Sequence, residues 1–162
     1  MRHFLKAVLL FVLLILQSTV CRYLEIMNIT PNLMLAFMVA AVLTSKSISE
    51  AGIYGFVTGL VYDLVWGRVF GIETLLFMYL ALLLFYISEY MYKKNLFLSV
   101  WLTFLTSVIA ETVVFVLCFV IFGKATFWYT FFARIIPCAA YTALAEIIVY
   151  EIAVKIPSKR KV

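Results

Sequence analysis

Polar residues in this chain fall in short clusters between long apolar runs, and the spacing of the clusters predicts six helices. The first run covers Phe4 to Val20, with Gln17, Ser18 and Thr19 at its far end, and a loop with Arg22 and Glu25 follows. The second opens at Pro31, a favourable first helical position because the N–H that proline lacks is unpaired there anyway. It ends near Thr44, so at 1.5 Å per residue it reaches only about 21 Å against a hydrocarbon core of about 30 Å. Local thinning of the bilayer, helix beginning before Pro31, or burial within the bundle would each reconcile that shortfall. The third run extends from Ile48 to Trp66 and turns through Gly67-Arg-Val-Phe-Gly71 into a fourth, Ile72 to Met91. Lys93, Lys94 and Asn95 separate it from the fifth, Leu96 to Phe122; Gly123-Lys124 leads to the sixth, Phe127 to Ile156, and a basic tail begins at Pro157.

The third run carries the most specific pattern. At 100° per residue Gly52, Gly55, Gly59 and Asp63 share a stripe about 80° wide, one bare helix face ending in an acid. Each interior glycine would cost about 1 kcal/mol against alanine in a soluble helix. In a bilayer, Gly55-x-x-x-Gly59 lets another backbone approach closely. The stripe is either packed inside the bundle or exposed as a docking face. Internal packing is expected at Gly52 and Gly55, and contact with a partner helix near Gly59 and Asp63.

With 67% hydrophobic and 13% charged residues, the chain reads as one integral membrane domain over 1–162. Its longest polar connection, Cys21 to Thr30, leaves no room for an extramembrane domain, so a net charge of +5 does not argue for nucleic acid. It argues for topology. With six spans and both termini in the cytoplasm, the inner side holds Arg2, Lys6, Lys46, Lys93, Lys94, Lys155, Lys159, Arg160 and Lys161, against Arg22, Arg68 and Lys124 outside. A re-entrant second run would reverse that bias. The N-terminus has the charged and apolar regions of a signal peptide but no suitable cleavage site, and an uncleaved first span is expected. Cys21, Cys118 and Cys138 are at unrelated spacings, so neither a disulfide framework nor a metal site is indicated.

Ionisable groups inside a membrane are expensive and stand out for that reason. Asp63, near Arg68 and Glu73, is expected in a capped and paired turn. Glu111 shares a face of the fifth run with Thr103, Thr106, Ser107 and Ala110; the sixth offers Arg134, Cys138, Tyr141, Thr142 and Ala145, with Glu146 on the flank and Pro137 as a source of a bend. Counted from the outer turn, Glu111 and Arg134 differ by about 6 Å in depth, and an ion pair between them is expected. The rival reading of this polar face is a cavity for a small solute. Catalytic signals are missing: His3 is the sole histidine and lies at the extreme N-terminus, and no phosphate-cradling loop occurs. Neither an enzyme nor a cofactor is expected.

The six-span plan, Leu16-Gln17-Ser18-Thr19 closing the first span, Pro31-Asn32-Leu33 opening the second, and Gly55-Phe56-x-x-Gly59-Leu60-x-x-Asp63-Leu64 followed by Gly71 resemble the MreD family, rod shape-determining membrane proteins of bacteria. The resemblance implies a non-enzymatic inner-membrane component of the cell-elongation machinery. Its partners would be an MreC-like single-span protein, the MreB cytoskeleton, RodA and a penicillin-binding protein. The family's fold is similar to the S components of energy-coupling-factor vitamin transporters, which implies a small-solute binder as the alternative. S components typically carry Ala-x-x-x-Ala on span 1 for docking, whereas here Ala7 is followed four residues later by Phe11. The family commonly has Asp where this chain has Asn32, which removes the charge from that position.

Overall fold

The shortest apolar run lies at the centre of the molecule. This computed structural model describes residues 2–23, 30–67, 70–90, 96–122 and 134–155, and among them there are six helices and no strand: α1 (Arg2–Tyr23), α2 (Leu33–Leu43), α3 (Ile48–Trp66), α4 (Ile72–Tyr90), α5 (Leu96–Phe122) and α6 (Ile136–Lys155). α2 is buried without a break from Met34 to Leu43. A helix that is apolar on every side has no face for water and fits where neighbours surround it. It touches all five other helices. Burial within the bundle is therefore what accommodates the short run, and the fold is an all-α polytopic bundle.

Pro31 is not the first helical residue. The helix starts at Leu33 with Asn32 as its N-cap, and the preceding backbone is irregular inside the protein. Irregular backbone survives at such depth only if its polar groups are paired. Two other helices and the cap residue itself supply partners. Asn32 N–H donates to Thr142 Oγ1 of α6 at 3.0 Å, Met34 N–H to Gln17 Oε1 of α1 at 3.0 Å, and Leu35 N–H to the Asn32 side-chain oxygen at 3.0 Å. An amide oxygen thus performs the capping that an aspartate would perform, without a charge.

The other end of α2 is closed by a residue that reads as a simple topology charge in the sequence. Lys6, only 2% exposed, donates from Nζ to the Ala41 carbonyl at 3.2 Å and lies 4.3 Å above the centre of the Tyr54 ring. A cation there complements the negative end of the α2 dipole, whose last carbonyls also accept from Thr44 and Ser45. Tyr54 in turn donates to Glu50 Oε1 at 3.3 Å, and its hydroxyl is 2.9 Å from His3 Nδ1, which ties α1 to α3.

Around α2 the remaining helices pair in sequence order, α3 on α4 and α5 on α6. The observed limits of α3 and α5 coincide with the third and fifth runs. Ile72–Glu89, Leu96–Leu117 and Ile136–Lys155 are each long and apolar enough to cross a membrane; the apolar parts of α1 and α2, His3–Thr19 and Leu33–Leu43, are shorter. The expected start of the sixth span at Phe127 and the loop residues Arg22, Glu25, Arg68, Lys93, Lys94 and Lys124 lie outside the described helices or their described side chains. Residues 134–135 form a wider π-type turn immediately ahead of Pro137. Such a turn relieves the clash between a proline ring and the carbonyl four residues earlier.

Candidate functional site

Two polar seams run through the bundle, one between α3 and α4 and one between α5, α6 and the entry to α2. The glycine stripe makes the first. A Cβ on Gly55 would lie 2.5 Å from Ala81 Cβ and 2.7 Å from the Phe77 carbonyl oxygen, and one on Gly59 would lie 2.7 Å from Thr74 Cα and 2.9 Å from the Glu73 oxygen. Gly52 is looser, with Leu82 Cδ2 at 3.3 Å. The whole stripe faces α4. This corrects the expectation of a partner helix at Gly59, because the space such a helix would need is filled by the backbone of α4.

Asp63 ends the stripe as a fastener. It is 5% exposed, and its Oδ2 accepts from the backbone N–H of Gly71 at 3.0 Å, from that of Thr74 at 2.8 Å, and from the Thr74 hydroxyl. A carboxylate from one helix thereby caps the first turn of the next, where free amides and the positive dipole end favour a negative charge. Gly71 is the corner of that connection, with φ +98°, a conformation that glycine adopts freely and other residues rarely do. Asp63 is therefore inside the α3–α4 junction and unavailable as a docking group. Arg68, the expected partner, lies outside the described residues; Glu73 sits within electrostatic range of both Asp63 and Glu111.

The second seam follows residues four apart on α5: Ser99, Thr103, Ser107 and Glu111. Ser99 donates to Glu146 Oε1 of α6 at 2.6 Å, and the single proton of the Cys138 thiol has two acceptors in reach, the Thr30 carbonyl at 3.4 Å and Glu111 Oε1 at 3.9 Å. Thr142 donates to the Cys138 carbonyl at 2.8 Å while accepting from Asn32. The polar face of α6 thus holds the irregular entry to α2. Arg134 lies in the π-type turn with an exposed side chain, and it and Glu111 both act electrostatically on Cys138. Glu146, placed on the flank by the wheel, is fully buried. The four-residue spacing that includes Ser99 was the available signal for this seam. Among the described residues no group of three or more His, Cys, Asp or Glu could hold a metal ion.

Comparison with known proteins yields one match. A family model described as rod shape-determining protein MreD matches residues 1–157. No curated protein and no solved structure matches the chain.

Proposed function

We propose, because the chain belongs to the MreD family, that this rod shape-determining integral membrane protein works as a non-enzymatic scaffold or adaptor. It would hold an MreC-like single-span protein within an elongation complex that also contains MreB, RodA and a penicillin-binding protein, in the inner membrane with both termini cytoplasmic. One observation supports the scaffold reading above the others. The residues that carry the family resemblance, Gln17, Asn32, Gly55, Gly59, Asp63 and Gly71, are spent on fastening helices to one another. A protein whose motif residues fix a shape offers that shape to others.

Depletion in the native rod-shaped host tests the reading: rounding and swelling are expected, together with loss of the MreC-like protein's co-purification partner. A vitamin requirement with normal cell shape would favour the S-component-like alternative instead. For topology, a C-terminal reporter fusion should be active in the cytoplasm; activity restricted to the periplasm would overturn the six-span arrangement.

The Glu111–Arg134 ion pair belongs to the same proposal. Both charges act on Cys138, and an arginine side chain is long enough to cover a depth difference of about 6 Å. Glu111→Ala and Arg134→Ala should each lower the amount of protein in the membrane, since a lone charge there is costlier than a paired one. The double variant should recover part of the loss. Normal abundance and function in both single variants would refute the pair.

A further inference from the structure

We propose that the outward face of α4, centred on Tyr79, docks a second copy of this chain, so that the protein forms a parallel two-fold dimer with α4 against α4. The dimer goes beyond the scaffold reading and stands without it. At 100° per residue Leu75, Tyr79, Leu83 and Tyr86 share a stripe about 80° wide. All four are exposed, whereas Phe77, Ala81 and Leu84 on the opposite side of the helix are buried. Spacings of four, four and three residues are those of a packing seam between two helices. Because α2, α3 and α5 pack against the other sides of α4, the stripe is the side left open.

Lipid alone would suit the leucines. It does not suit Tyr79, which lies seven residues past Ile72 and ten before Glu89, so about 10 Å and 15 Å from the ends of a segment apolar enough to cross a membrane. Its side chain is 65% exposed, and its hydroxyl makes no hydrogen bond to any described residue. Tyrosine ordinarily sits at the interfaces, where its ring is in the acyl region and its hydroxyl reaches water or headgroups. Every other exposed polar side chain described on the six helices is within five residues of a helix end, close to such an interface. Tyr79 is the exception, and a hydroxyl in hydrocarbon is costly without a partner.

A second copy supplies that partner. Copies of one chain insert with the same orientation, so the two-fold axis relating them runs along the membrane normal and each seam residue meets its own equivalent at the same depth. A hydroxyl both donates and accepts. Two Tyr79 side chains meeting at the axis therefore complete each other, while the leucines and the Tyr86 ring pack in register around them. A helix of a different protein would need its own polar residue at that depth; a second copy already carries it.

The experiment uses the full chain in native membranes, carrying Leu75→Cys or Leu83→Cys and treated with copper phenanthroline. Both variants should give a reducible product of twice the 18.6 kDa chain mass. The unsubstituted chain and Leu144→Cys, at a similarly exposed position on α6, should not. Tyr79→Phe keeps the ring and removes only the hydroxyl. In liposomes diluted with lipid, energy transfer between labelled chains should show its dimer dissociation constant raised about threefold, the usual effect of one interhelical hydrogen bond in a membrane, with the amount of folded protein unchanged. A cross-linked product of another mass would put a different protein on the stripe. That result, equal cross-linking of Leu144→Cys, no product at all, or a Tyr79→Phe protein that associates as tightly as the native one overturns the proposal.

Discussion

Gly55→Leu is expected to leave almost no folded protein in the membrane. Overpacking a core ordinarily costs about 1–3 kcal/mol because neighbouring side chains and backbone can shift. Here even the first added carbon would meet Ala81 Cβ at 2.5 Å and the Phe77 carbonyl oxygen at 2.7 Å, atoms at or next to the backbone of α4 with no rotamer to escape into. The cost should therefore reach or exceed the top of that range, about 3 kcal/mol. Gly59→Leu should behave alike, since Thr74 Cα and the Glu73 oxygen lie at 2.7 and 2.9 Å from its Cβ position. Gly52→Ala should be mild: its nearest neighbour is the movable tip of Leu82 at 3.3 Å. Immunoblots of membrane fractions and size-exclusion profiles in detergent would rank the three. A Gly59→Leu protein that accumulates normally but no longer co-purifies with the MreC-like partner would return that face to docking.

The same contrast shows what a single chain can reveal. α3 could be bounded closely because its apolar run ends at abrupt polar clusters, Ser45 to Ser47 on one side and Gly67 on the other. The glycine stripe was visible as a stripe; what faces it was not, because the partner surface belongs to α4. Lys6 could be counted only as a loop charge, since its place depends on α2 carbonyls and a tyrosine of α3 that meet through folding. The sequence alone places Asn32 inside a helix beginning at Pro31, because its role as the cap depends on Gln17 and Thr142, which come from α1 and α6.

Glu146 illustrates a failure of phase. A helical wheel for the sixth span that includes Arg134 assumes 3.6 residues per turn throughout, but 134–135 lie in a wider π-type turn. From Cys138 onward the buried positions run Cys138, Ala139, Thr142, Ala143, Glu146, Val149, Tyr150 and Ala153, with Glu146 in the middle of the face. Arg134 precedes that phase, so it cannot be used to set the wheel for the rest of the helix. The proline that announces a bend thus also marks where the wheel must be restarted.

Asp63→Ala should be the most damaging change that leaves the shape of the stripe alone. It removes the acceptor for two backbone N–H groups and one hydroxyl at a junction where Asp63 is 5% exposed and water cannot substitute. Hydrogen bonds to a charged group contribute about 1.5–3 kcal/mol each, and the donors left behind are penalised as well, so a loss of about 3–5 kcal/mol is expected. Asp63→Asn should be far milder, within about 1 kcal/mol of the native protein, because its amide oxygen still accepts at the α4 cap while repulsion from Glu73 disappears. Thermal unfolding of the purified protein, with limited proteolysis at the Gly67–Gly71 turn, separates the two variants. If Asp63→Asn is as damaging as Asp63→Ala, the negative charge itself is required at the junction, and the geometry of the cap is only part of what Asp63 provides.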